Sequence, residues 1–202
     1  MTEGVIVDKH LADQYKVQLG KTDAGKYHVP RMDESTRSLI TIDQNHHNLL
    51  AGNYFRSGMN FTLANGNVAG FGMTMPTGPK EVHITWVLNA SADGTFAVLE
   101  DVTSFAGGAA VIPLNQNRIS TETSDAVCIS GMTGADPITP TGGTIILSAV
   151  LSTGKGSTVN RSAGEGFVFK TGTSYFFRYT NGANANIIQL ACEWHCHTPE
   201  AA

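Results

Sequence analysis

Nowhere in this chain do the roughly 18 apolar residues of a membrane helix follow one another, and no membrane partner is expected. The first residues, MTEGVIVDKHLADQ, lack a basic segment followed by an apolar run, so assembly in a cytoplasm is expected. Charge is sparse: only 15% of the residues are charged, the formal net charge is −4, and Lys and Arg are scattered. A nucleic-acid partner needs a clustered basic face, so none is expected. Cysteine is scarce as well. Cys128, Cys192 and Cys196 make an odd number in a chain too long to need stapling, and buried thiols are expected in place of disulfides. Three Asn-x-Ser/Thr sequons, at Asn60, Asn89 and Asn160, carry no weight without a secretion signal.

Catalytic patterns are missing too. The sequence holds no Gly-x-Ser-x-Gly elbow, no Walker A loop, no His-Glu-x-x-His and no dinucleotide-binding glycine fingerprint. Gly154-Lys155-Gly156-Ser157-Thr158 has some of the look of a phosphate loop, but it lacks the first glycine and a following helix, and reads as a turn. Neither an enzyme nor a cofactor is expected.

What the chain does have is 22 glycines and an abundance of Thr, Asn, Ser and Val, which favours strands joined by tight turns. Short apolar runs at 54–63, 68–75, 81–89, 95–101, 126–131, 144–151, 166–170, 175–180 and 186–195 are the candidate strands. Several alternate with a period of two. Val82, Ile84, Trp86 and Leu88 share one face against His83 and Thr85, and Tyr175, Phe177 and Tyr179 oppose Phe176, Arg178 and Thr180. This rhythm predicts antiparallel sheets with one wet face: an all-β, antiparallel β-sandwich, jelly-roll-like, with an N-terminal arm. Ala92-Asp93-Gly94 and Thr180-Asn181-Gly182 supply turns. The stretches 76–79 and 131–143, rich in Pro and Gly, read as loops that cannot continue a ladder, and 101–125 reads as a loop between two halves.

The expected organisation is an arm or peripheral hairpin over 1–38, a sandwich over 39–197 and a tail over 198–202. Within the arm, 15–19 alternates as a strand and 21–25 is a turn before 26–29. Arg31 and Arg37 belong to this charged segment, which is either a mobile extension or an arm that docks on a partner.

Three places concentrate chemistry. Asp43 with His46 and His47 is raw material for a metal site or proton relay, but adjacent strand residues face opposite ways, which favours a structural role. Cys192-Glu193-Trp194-His195-Cys196-His197 has the composition of a zinc site. Alternation instead turns Cys192, Trp194 and Cys196 inward and leaves the two thiol-bearing Cα atoms about 13 Å apart, too far for one ion, so no metal is expected. The third is the loop Pro113-Leu114-Asn115-Gln116-Asn117-Arg118-Ile119-Ser120. There Arg118 can clamp a carboxylate on a neighbouring subunit while Asn115 and Asn117 bond backbone; the alternative is an ordinary Asx-rich loop.

The run from Ile42 to Phe55, with His46, His47, Gly52 and Phe55, resembles the His-His-x-x-His-x-Gly-x-x-Phe motif of a family of tailed-bacteriophage structural proteins. Pro113, Asn115, Asn117, Arg118 and Ser120 resemble the family's Pro-x-Asn-x-Asn-Arg-x-Ser loop. The segment from Gly154 through Arg161, Lys170, Thr173, Tyr175, Arg178, Asn181, Asn186, Glu193 and Trp194 is similar to its closing pattern. The likeness runs in order over residues 36–197; Leu50 stands where the first motif has its third His, and Gln116 where Arg is common.

The resemblance implies a virion structural protein, and for a jelly roll of this size a head decoration, or cement, protein. Its partners would be the major capsid protein and itself, as a homotrimer or homodimer, on the exterior of the phage head. Asn115, Asn117, Arg118, His46, His47, Arg31 and Arg37 are the expected partner-binding residues. The alternative is a tail, neck or fibre-associated module able to bind glycans.

Overall fold

The computed structural model describes residues 20–21, 27–28, 49–78, 80–152, 157–161 and 167–197. Gln44–Pro199 forms one compact unit, distinct from a unit made of Met1–Asp43 and Glu200–Ala202. In the smaller unit β1 (Gly20–Lys21) pairs antiparallel with β2 (Tyr27–His28), on either side of the expected turn. The expected strand at 15–19 lies outside the described residues.

The larger unit is an antiparallel β-sandwich. One sheet takes the order β11 (Ser157–Arg161), β5 (Glu81–Ala90), β14 (Asn186–His197), β3 (Tyr54–Leu63) and β8 (Leu114–Asn115), with β12 (Phe167–Phe169) also pairing β5. The other runs β10 (Ile138–Leu151), β6 (Gly94–Gly107), β13 (Ser174–Asn181), β4 (Val68–Thr74), β9 (Val127–Met132) and β7 (Ala109–Val111). Successive strands β3, β4, β5 and β6 alternate between the sheets. The last two then return into them: β13 slots between β4 and β6, and β14 between β3 and β5. This is a jelly-roll path. Between β6 and β10 the chain makes a detour, adding β8 to the free side of β3, β9 to that of β4, and β7 beyond β9.

Alternation explains the core. Val82, Ile84, Trp86 and Leu88 from β5 face Phe71, Met73, Phe96, Val98, Tyr175, Phe177 and Tyr179 across the sandwich, all essentially inaccessible. Phe177 is the hub of the aromatic packing: its ring meets Trp86 edge-on at 5.3 Å and lies 6.1–6.3 Å from Phe71, Phe169 and Phe96.

Two loops expected from the sequence are partly strand. Residues 138–143 begin β10 and pair with β6, Pro140 standing opposite Phe105. Proline is tolerated because β10 is an edge strand, where an absent N–H breaks no ladder. Within 101–125, β6 continues to Gly107, and β7 and β8 follow.

The expectation of one wet face also fails on the second sheet. Phe176, on the supposedly solvated side of β13, is fully buried in a second apolar cluster with Ala97, Leu99, Val102 and Ile138, against which Phe105 and Ile129 pack. The cause is a bend. Asp101, Gly142 and Gly143 all take positive φ, and the β6–β10 register shifts between Thr141 and Gly142. Beyond this bulge the far ends of the two strands lie over the outer face of β4. Gly70 and Gly72 make the approach possible: a Cβ on Gly70 would run into Phe176 and Ile138, and one on Gly72 would sit 3.0 Å from Phe105 and Ile129.

Candidate functional site

The loop after β7 is where the chain's polar motifs come together. Residues 49–50 are helical, and the turn closes with Gly52 N–H donating to Leu49 O (3.1 Å). Gly52 takes φ +76°, open to glycine at little cost, and any Cβ there would strike Ser120. Asn115, the first residue after the apolar run to be buried, donates through Nδ2 to Gly52 O (2.7 Å) and Glu122 O (3.0 Å), and its Oδ1 accepts from Asn117 N–H (2.9 Å). Asn117 Nδ2 reaches Leu50 O (3.0 Å), and Gln116 N–H donates to Tyr54 O (2.9 Å). The first two motifs therefore form one clasp, in which Gly52 of one meets Asn115 and Ser120 of the other. Asn115 and Asn117 bond backbone, as their Asx chemistry predicts.

Arg118 is exposed, with Nη1 donating to Asn115 O at 3.3 Å. His46, His47, Arg31 and Arg37 lie outside the described residues. What the sequence reading passed over is the apolar rim of this clasp. Ile112 is 82% exposed, Ile119 93%, Leu114 57% and Leu50 58%. A signal was present in the sequence: Ile112-Pro113-Leu114 lies where proline and the amides break any period of two, so neither side chain has an inner face to turn to.

The third motif is also structural. Asn181 Nδ2 donates to Leu63 O, Ala64 O and Ala183 O at 2.7–3.0 Å. Asn186 is fully buried; its Oδ1 accepts from Ser91 N–H, Ser91 Oγ–H and Ala92 N–H, and its Nδ2 donates to Tyr179 Oη, Asn181 Oδ1 and Ala92 O. Trp194 Nε1 donates to Ser124 Oγ at 3.3 Å.

At the opposite corner Lys170 Nζ donates to Glu100 Oε1 at 2.6 Å and Tyr175 Oη donates to Glu100 Oε2 at 2.8 Å. The Lys170 ammonium, helped by the Tyr175 hydroxyl and opposed by burial, holds the Glu100 carboxyl below its ordinary 4.5. Burial, added to by Glu100, pushes the Tyr175 phenol well up, so it remains a donor. Because the folded value of Glu100 is the lower one, its contribution is complete above the unfolded value and disappears as pH falls through the folded one. Glu100→Gln should therefore destabilise the protein at about pH 7, and that effect should shrink as the pH is lowered to about 3. Urea melts of both proteins at the two pH values check this; an unchanged gap would show that the carboxylate is not the source.

The cysteine-rich end is core. Cys192 and Trp194 are inaccessible and Cys196 nearly so, with Glu193 and His195 on the other side of β14. Burial raises the Cys196 thiol to about 11 and Cys128 to about 12, and moves Cys192 well up too, so these groups stay protonated, poor nucleophiles. Among the described residues no three His, Cys, Asp or Glu side chains are grouped so as to hold a metal ion. A scan of the chain against protein-family models finds no match, and a search of curated proteins finds none either.

Proposed function

We propose that the protein is a structural component of a tailed-bacteriophage virion, and within it a decoration protein that binds the major capsid protein on the outside of the head as a small homo-oligomer. The work of such a part is cohesive, not catalytic: it adds buried area between neighbouring capsid subunits. The observation that carries the reading is the rim of Leu50, Ile112, Leu114 and Ile119, exposed apolar side chains held on a hydrogen-bonded clasp. Large apolar groups presented on a fixed loop suit a protein interface, because little loop entropy is lost on docking. The likeness of the two clasp motifs to those of phage structural proteins supports the same reading. A specific contact of about 1,000 Å² or more needs more than one loop, and residues 1–40 with Arg31 and Arg37 are the assigned second element.

Deletion of residues 1–35 tests it. The truncated protein is expected to keep a cooperative unfolding transition, since the sandwich unit begins at Gln44, yet to fail to co-sediment with capsids. Quantitative mass spectrometry of intact particles should find hundreds of copies per virion. A truncated protein that still coats particles would remove the arm from the proposal, and a few copies per particle would move the protein to the tail or neck.

A further inference from the structure

The outer face of the β3–β14–β5 sheet carries a trough built by register. Three cross-strand rungs define it. Asn60, Gln189 and Asn89 stand side by side, joined at the end by Thr158, whose Oγ1 donates to Asn89 Oδ1 at 2.8 Å. Arg56, Glu193 and Thr85 form the parallel rung four residues along β3. Between them the rung is Gly58, Ala191 and Val87, short side chains that carry no polar group. At strand geometry the walls are about 13 Å apart and the trough, from β3 to β11, is about 14 Å long. Two hollows of ≈ 350 and ≈ 270 Å³ lie along it, sharing Arg56, Gln189 and Ala191, and Ile112 and Leu114 close the β3 end. The volumes fall near the lower end of the range for small-ligand sites.

From this geometry we infer that the trough is a binding site for a short neutral oligosaccharide. One wall is a row of amides, each able to donate and accept at once, which matches the paired donor and acceptor of vicinal hydroxyls. The other wall offers charges that cancel: Arg56 Nε lies 3.8 Å from Glu193 Oε1, so no ionic ligand is selected. Ala191 and Val87 give a shallow apolar floor suited to the C–H face of a pyranose ring. An extended peptide fits less well. Its main-chain groups need an open strand edge, whereas β14 under the trough is paired on both sides, to β3 and β5. Asn60, Asn89, Gln189 and Arg56 are exposed, and Thr85 and Glu193 half-buried, so the walls are accessible to a ligand. This inference is independent of where in a virion the protein sits.

The test is an amide-detected NMR titration of the full chain with maltotriose, cellotriose and N-acetylchitotriose, each taken to about 10 mM because a shallow, solvated site binds weakly. With at least one sugar, the side-chain amides of Asn60, Asn89 and Gln189 and the backbone amides of Val87 and Ala191 should shift together and saturate. Gln189→Ala should weaken that binding about fivefold, the loss of one net hydrogen bond. Ser148→Ala, exposed on the other sheet, should leave it unchanged. Preserved backbone spectra separate a lost contact from a lost fold. If none of the three sugars moves the trough amides, if the shifts map elsewhere, or if only an added tri-alanine peptide produces them, the inference is overturned.

Discussion

Phe177→Ala will lower the unfolding free energy by about 3–5 kcal/mol, the range for removing a large aromatic from a close-packed interior. The upper part of that range applies here. Phe177 is inaccessible, central in β13, and its ring is met by four others, from Phe71, Trp86, Phe96 and Phe169. Those rings belong to strands of both sheets, and the backbones carrying Phe71, Trp86 and Phe96 are fixed by ladders on either side, so the void cannot readily collapse. Such a change is a large share of the about 5–15 kcal/mol that a domain has in total. Chemical denaturation should show a midpoint far below that of the parent with an unchanged slope. A shift of less than about 1 kcal/mol would mean that the rings repack and that Phe177 is not the hub.

Asn186→Ala is expected to cost about 3 kcal/mol, although it removes fewer atoms. Its amide accepts from the backbone N–H of Ser91 and Ala92 and donates to Tyr179, Asn181 and Ala92, at the corner where β13 turns into β14; the bonds to Tyr179 and Asn181 are buried and those to Ser91 and Ala92 partly so. Ser91 N–H keeps a second bond, to Ile187 O at 3.0 Å. Half-buried Ala92 N–H has no second bond among the described residues, and the inaccessible Tyr179 and Asn181 side chains lose their Asn186 donor, so much of the desolvation cost goes uncompensated. The exposed amide Gln189, three residues from Asn186 by chain and on the same strand, is the control: Gln189→Ala should change stability by less than about 0.5 kcal/mol. Paired thermal and urea melts compare the two. Equal effects would show that the network contributes nothing beyond what an exposed amide does.

The contrast between these two positions shows where sequence reading is strong. Phe177 announces itself, because Tyr175, Phe177 and Tyr179 repeat at every second residue and a pleated strand turns every second side chain the same way. Asn186 does not. It is one of many asparagines, and only the meeting of the β5–β6 and β13–β14 turns decides that this one is buried and others, such as Asn89, are not. The clasp is intermediate. Asn115 and Asn117 were recognisable as loop-forming amides, but their partners Leu50 and Gly52 lie more than sixty residues away, a distance that no local pattern spans.

By itself, the sequence determined most of the core strands, the inward side chains of β5, β13 and β14, the burial of all three cysteines and the antiparallel sandwich. All of these follow from a period of two and from turn residues, which are properties of neighbours along the chain. Only the tertiary structure decided that Pro140 lies in an edge strand, that Phe176 is roofed by the bent ends of β6 and β10, and that Gly58, Ala191 and Val87 line up as one floor. Each depends on which strand lies beside which, and register is set by the packing of the whole sandwich rather than by any segment of it.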